Sequence, residues 1–339
     1  MRVALDLAVV YSTSSLDMDF NLSASQLTAR TAAQTFGRET SADADAATLI
    51  REAARHGLLD GAHDLLAITV IVETVAEASS TAGIALALHL AVLRSIGDHP
   101  AAAALGSGDE VGALALSSDE QPQGGSQLSG RASWVAPLTP NGLAVVGAAA
   151  QGELVAYAIR LDAPGVMMET IDTPALAGIT WGHLSLQSTR ALAIGPTPPV
   201  MSRARLLLAA AALGMGSRAL LEALQVARSL NRTGAGGEQT VQGLLADSAT
   251  DLDAARLLTW RAAAAPGAPT LASASLAKLA ATEATQRAVL RATQVIGGDS
   301  FRRAHVIDRL ARDVRALELF AGRTEALREA AAMELLRDV

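Results

Sequence analysis

A chain of 339 residues, half of them hydrophobic, is long enough to bury a sizeable core in two or three structural units. Its net charge of −7 argues against a duplex-binding surface, and the lack of cysteine excludes disulfides, thiolate catalysis and thiolate metal sites. Much of the apolar content is alanine, which favours helix. No run of about 18 residues is free of a charge or a breaker, so no membrane-spanning helix is expected. The apolar excess is assigned instead to a subunit interface.

The apolar run Val3 to Tyr11 contains an aspartate and lacks a small-residue cleavage site. An upstream start fits it better than a signal peptide, and a cytoplasmic protein is expected. Ser23 is a candidate N-cap for a helix carrying Leu27, Ala32 and Phe36. Ala47–His56, closed by Gly57, reads as a short helix, and Leu65–Ser79 and Ala82–Ile96 as two buried ones. From residue 101 turn residues multiply, and Val111–Leu116, Leu143–Ala148, Leu154–Leu161 and Leu184–Ile194 read as strands. Gln121–Gln127 reads as a flexible turn. Then Met201–Arg228, Gln239–Ala264, Ala272–Ile296, His305–Phe320 and Thr324–Leu336 read as helices with glycine and proline at the joints. The expected fold is α+β. A helical domain spans residues 18–100, a small middle β domain 101–200, and a C-terminal helical bundle 201–339.

Several stretches resemble the acyl-CoA dehydrogenase family. Gln294-Val-Ile-Gly-Gly298 is similar to its Q-x-x-G-G flavin motif, and Arg312-Asp313 follows fourteen residues later, as the family's R-D does. Leu128-Ser-Gly-Arg-Ala-Ser-Trp134-Val-Ala136 resembles its l-x-G-x-K-x-W-I-T turn and strand. Val70–Ser79 resembles an N-terminal helix of the family, and Met18-Asp-Phe-Asn-Leu-Ser23 its usual opening. The resemblance covers roughly residues 18–337 and is strongest in the last third.

It implies FAD-dependent oxidation of an acyl-CoA, in which a carboxylate takes the α proton as a hydride leaves the β carbon for the flavin. The family places that carboxylate at one of two positions. One is the glutamate of Y-E-G-T, which falls on Ala321 in Phe320-Ala321-Gly322-Arg323. The other precedes the arginine matched by Arg205 and falls on Ala204. A methyl group cannot take a proton, so this chain is expected to have no catalytic base. Arg323 replaces a threonine that sits near the flavin and is expected to obstruct an ordinary isoalloxazine site.

The motifs for the adenosine end of FAD survive better. Arg228 and Gln239 keep the eleven-residue spacing between the family's R-x-x-F-G and its following glutamine, although Asn231-Arg232 replaces Phe-Gly. With Gln294, Gly297 and Gly298 they are implied to hold FAD shared with a partner subunit. Arg228 would face the diphosphate, and the glycines would permit close backbone approach. Taken singly, Arg228 reads as a solvated helix-end cation and Gly297-Gly298 as a helix stop. Arg312-Asp313 reads as a structural ion pair, Arg205 as structural, and Trp134 and Trp181 as core or interface residues. The six histidines show no metal-ligand spacing, and Ser117-Ser-Asp-Glu120, loosely like a flavin loop, lacks the setting of a nucleophilic serine.

The chain is most similar to the base-lacking subunit of actinobacterial α2β2 acyl-CoA dehydrogenases that act on steroid-CoA thioesters in cholesterol side-chain degradation. That resemblance implies a second dehydrogenase subunit carrying the base and an acyl-CoA bound by the complex. Neither nucleic acid nor membrane is expected as a partner. A homo-oligomeric flavoprotein with oxygenase-like chemistry and a non-enzymatic member of the fold are the alternatives.

Overall fold

Ser23 caps the first helix, α1 (Ala24–Glu39), through a reciprocal box: its hydroxyl accepts from the Gln26 N–H, and the Gln26 side-chain oxygen accepts from the Ser23 N–H. The buried face is Gln26, Ala29, Ala33 and Phe36, so Leu27, expected inside, is 41 % exposed. The amide of Gln26 also donates to Asp64 at 3.0 Å, tying the start of α1 to the N-cap of the helix that begins at Leu65. The computed structural model describes residues 21–41, 44–116, 121–229, 237–303 and 305–337. The opening stretch to Phe20, Ser117–Glu120 and Asn231-Arg232, on which readings above fall, lie outside them.

Helices α2 (Ala46–Arg55), α3 (Leu65–Ala78) and α4 (Ser80–Leu93) follow. Only Ser79 separates α3 from α4, and its hydroxyl caps α4 by accepting from the Ala82 N–H. Helix α4 is apolar all round and is buried on nearly every side, as such a helix must be. A short helix, α5 (Ala102–Ser107), occupies the start of the stretch expected to be β, and Gly108 ends it at φ 77°.

The sheet contains β1 (Gly112–Ala115), β2 (Gln123–Gly124), β3 (Gln127–Val135), β4 (Leu143–Ala150), β5 (Glu153–Arg160), β6 (Val166–Ile171), β7 (Trp181–Arg190) and β8 (Leu192–Pro196). The order is β6-β7-β3-β2-β4-β5-β8, with β1 pairing in parallel with β4. Three differences from the sequence reading have physical causes. Leu184–Ile194 is two strands rather than one, because β7 pairs with β3 whereas β8 pairs with β5. Strand β6 lies on the sheet edge with its middle residues exposed, so it lacks the apolar alternation that marks a half-buried strand. Gln121–Gln127 is not only a turn, since it contains β2.

The C-terminal bundle consists of α6 (Thr197–Ser229), α7 (Gly237–Ala264), α8 (Leu271–Ile296), α9 (Val306–Leu319) and α10 (Thr324–Arg337), with a 3-10 turn at Gly297–Phe301. Contrary to expectation, α6 is long and apolar enough to cross a membrane; 72 % of its apolar window is buried in the protein, the pattern of a core helix. Its small residues let neighbouring backbones close in. A Cβ at Gly214 would lie 2.2 Å from the Glu73 carbonyl oxygen on α3. Gly214→Ala is therefore expected to destabilise the protein by about 3 kcal/mol in chemical denaturation. Gly243→Ala, where a Cβ meets nothing within 4 Å, is expected to stabilise by about 0.5–1 kcal/mol.

Candidate functional site

The segments that carry the base in the resembled family are linked here through Arg205. Ala204 is fully buried on α6. The next residue, Arg205, crosses to the turn after α9, where its Nε donates to the Ala321 carbonyl at 2.9 Å. Its Nη1 donates to Ser275 Oγ on α8 at 2.8 Å. Ala321 has φ 57°, in the left-handed region that non-glycine residues seldom occupy. The Phe320–Gly322 turn is therefore clamped from inside by a buried guanidinium.

A second cation holds the same turn. Lys278, the only lysine in the chain, is fully buried on α8. Its Nζ donates to the Gly322 carbonyl at 2.9 Å and the Glu318 carbonyl at 3.2 Å. Burial, assisted by the nearby Arg205 charge, brings its pKa down to about 7. Burial alone brings Arg205 to about 10. Glu318, one helical turn before Ala321, is not a free base. One carboxylate oxygen accepts from Thr324 at 2.7 Å and the other from Gln286 and Arg315. Burial pushes its pKa up, but these partners outweigh it and hold the carboxyl below its ordinary range. Sequence reasoning missed Lys278, Ser275 and Glu318. The available signal was a lone lysine among apolar residues in a chain that otherwise uses arginine.

Arg312 and Asp313 are not an ion pair with each other, which corrects the sequence reading. Arg312 pairs with Asp308 at 2.5 Å and donates to the Pro174 carbonyl. Asp313, about 100° further round α9, accepts from Ser80 Oγ at 2.7 Å and the Leu176 N–H at 2.6 Å. Burial raises its pKa, and the two hydrogen bonds oppose that shift. One carboxylate thus joins α9 to the start of α4 and to the loop before β7.

An aromatic row runs outward from the turn. Phe320 meets Trp181 edge-on at 4.9 Å, and Trp181 meets Trp134 at 6.4 Å. Trp181 is core, 4 % exposed. Trp134 is not: it is 49 % exposed and has φ 56°, at an irregularity in the β3–β7 pairing between Ala132 and Val135. That conformation is uncommon for a bulky residue such as Trp134. Beside it, at 6.1 Å, lies His183, whose Nδ1 is buried without a hydrogen-bond partner.

Arg228, Gln239, Gln294 and Gly298 are all exposed. Helices α6, α7 and α8 share a level where Thr285 donates to the Ala212 carbonyl at 2.7 Å and Gly216 faces Leu252 and Thr285. Arg287 and Arg291 of α8 both pair with Asp251 of α7, fixing the side-by-side run of those two helices. At about 1.5 Å per residue, Arg228, Gln239 and Gln294 lie roughly 18, 20 and 14 Å from that level, towards the same end of the bundle. Arg228 lines a surface groove there with Leu221, Leu224, Gln225 and Ser229. Gly297 ends α8 at φ 78°, and a Cβ at Gly297 or Gly298 would meet nothing within 4 Å. Among the described residues no group of three His, Asp or Glu side chains could hold a metal.

Residues 199–336 match the acyl-CoA dehydrogenase C-terminal domain. The human mitochondrial short-chain specific acyl-CoA dehydrogenase is 27 % identical over 320 residues, which cover 81 % of this chain and 76 % of that protein. The chain is thus similar to acyl-CoA dehydrogenases over most of its length, and its C-terminal part matches their C-terminal domain. The fold is shared with butyryl-CoA dehydrogenase of Megasphaera elsdenii (TM-score 0.84, 20 % identity, 94 % of this chain and 100 % of that one). It is shared equally with a Tcur3481-Tcur3483 steroid ACAD variant (TM-score 0.81, 23 % identity, 93 % and 98 % covered).

An acyl-CoA dehydrogenase is an oxidoreductase and a flavoprotein, so the residues can be tested against FAD. The adenosine end fits. Arg228 has no partner among the described residues, two amides stand exposed, and bare glycine backbone is open beside them. The isoalloxazine end of this chain fits less well. Ala136, fully buried, stands where the resembled pattern has threonine, and the turn at Ala321 is turned onto Arg205.

Proposed function

We propose that this chain is the base-lacking subunit of a heteromeric FAD-dependent acyl-CoA dehydrogenase that introduces an α,β double bond into a bulky, steroid-bearing acyl-CoA. One observation carries the reading: both positions where the resembled family places its base, Ala204 and Ala321, end in methyl groups, while the carboxylate of Glu318, one helical turn before Ala321, is fully engaged. The partner subunit supplies the base that takes the α proton, the isoalloxazine cradle and most CoA contacts. FAD supplies the hydride acceptor when bound. This chain contributes Arg228, Gln239 and Gln294, with the open backbone of Gly297 and Gly298, to the adenosine end. Arg228 neutralises phosphate charge, and the amides orient by hydrogen bonding.

Two further facts support the partner and the substrate class. Leu257, Leu290, Leu319 and Leu336 are 44–74 % exposed on the bundle, apolar area that a subunit interface would cover. A protein named for two components and for a steroid shares the fold. A single competent site per heterodimer leaves room for an acyl group too wide for a symmetric enzyme. Turnover of steroid-CoA at full rate by the partner alone would remove that argument.

Native mass spectrometry on the chain purified from its own host tests the proposal. The expected mass is two copies of this chain, two of a larger dehydrogenase subunit and two FAD. A homotetramer with four FAD would refute it and favour the oxygenase-like alternative.

A further inference from the structure

Phe301 is the most exposed large hydrophobic side chain among the described residues, at 75 %. It is not on a loose end. It closes the 3-10 turn that begins at Gly297, and the buried Ser300 beside it donates its hydroxyl to the Gly297 carbonyl at 2.6 Å. The backbone that presents the ring is therefore fixed. Leu290 and Gln294, four residues apart, share one face of α8 and are exposed, and Gly298, just past the break at Gly297, is exposed as well. The end of α8 and the turn after it thus expose an apolar side chain, an amide, bare backbone and an aromatic ring. Arg302, the next residue, is paired with Asp299 at 3.2 Å, whereas Arg228 at the same end of the bundle has no partner among the described residues.

A flat apolar ring, an unpaired guanidinium and exposed amides beside open glycine backbone together match the chemistry of a purine dinucleotide. The ring takes the base, the cation the diphosphate, and the amides the polar edges. Asn231 cannot stack a base, so the end of α6 lacks an aromatic of its own. We infer that Phe301 stacks the adenine ring of the FAD whose diphosphate lies at Arg228. The inference rests on the shared-cofactor reading and adds to it the residue that recognises the base. The ring is presented to the ligand and contributes little to this chain's own core, so its removal should spare folding.

The test is equilibrium dialysis of FAD and of ADP, with FMN as the probe that lacks adenine. It uses the full chain in the complex captured from its host through a tag on this chain. Phe301→Ala is expected to weaken FAD and ADP binding about tenfold, the loss typical of one stacked ring, with FMN binding, thermal midpoint and subunit composition unchanged. Phe301→Tyr is expected to bind within about twofold of the original chain, since a ring is retained. If Arg228→Ala weakens FAD binding and Phe301→Ala does not, the stacking inference is wrong and the shared-cofactor reading stands. If Phe301→Ala releases the partner subunit without changing FAD affinity, Phe301 is a protein contact and the inference is wrong. If neither variant changes FAD affinity, the shared-cofactor reading falls and the inference with it.

Discussion

Ala321→Glu is expected to leave the isolated chain unable to oxidise an acyl-CoA, although it restores a carboxylate where the family usually has one. A positioned base is worth roughly 10²- to 10⁴-fold in rate, so a competent cleft would reveal itself in an assay with an artificial electron acceptor. The structure argues that this cleft is not competent. Arg205 holds the Ala321 carbonyl at 2.9 Å, and its Nη2 lies 2.7 Å from where a Cβ at Gly322 would stand. Arg205 also has no carboxylate partner among the described residues, its hydrogen bonds going to Ala321 and Ser275. A new glutamate on that turn would be drawn to the guanidinium, and an adjacent cation lowers a carboxylate's pKa. A base for an α proton needs the opposite shift. Arg323, exposed at the position of the resembled family's threonine, is a separate candidate obstacle. Adding Arg323→Thr to Ala321→Glu separates the causes: activity only in the double variant would place the defect on Arg323. Oxidation by Ala321→Glu alone would mean that the cleft is intact, and the accessory-subunit reading would lose its main support.

What the chain disclosed about itself depended on how local the cause was. Ser23 was legible as a cap because the serine and Gln26 lie three residues apart and satisfy each other. The long bundle helices were legible from periodicity and from glycine and proline at their joints. The buried face of α1 was not, because Gln26 turns inward to meet Asp64, thirty-eight residues away. Strand β6 was missed for a related reason: an edge strand with exposed side chains has its identity conferred by its neighbour β7. At the candidate site, the alanines at both base positions of the resembled family, Ala204 and Ala321, were legible directly. The link between their two segments was not, since it depends on Arg205 reaching a turn 116 residues later in the chain. Asp313 shows the same limit. Its neighbour Arg312 suggested a pair, but its partners are Ser80 and Leu176, 233 and 137 residues away. Trp134 kept its residue type and spacing in the sequence; its exposure comes from the irregular pairing of β3 with β7.

Lys278→Met is expected to flatten a rise in stability that the original chain shows between about pH 7 and pH 10. In the folded protein burial lowers the Lys278 pKa to about 7, against 10.5 for a free lysine. Between those values the unfolded chain carries a proton that the folded chain does not, so stability increases with pH through this window. Below pH 7 both states are protonated and the whole cost of the buried charge is present. Well above pH 10.5 both are neutral and that cost has gone. At about 1.4 kcal/mol per pKa unit, the rise is on the order of 4 kcal/mol. Methionine abolishes the titration but leaves the Glu318 and Gly322 carbonyls without their donor, at about 1–3 kcal/mol each if they stay dry. The variant should therefore be clearly less stable than the original at pH 10 and nearly equal to it at pH 6, where removing a buried charge offsets the lost hydrogen bonds. Chemical denaturation at a series of pH values measures both curves. Parallel curves would mean that Lys278 stays charged throughout and that an ammonium group, with Arg205 beside it, holds the turn. Converging curves would assign the turn to a neutral amine, whose two N–H groups match the two carbonyls they face.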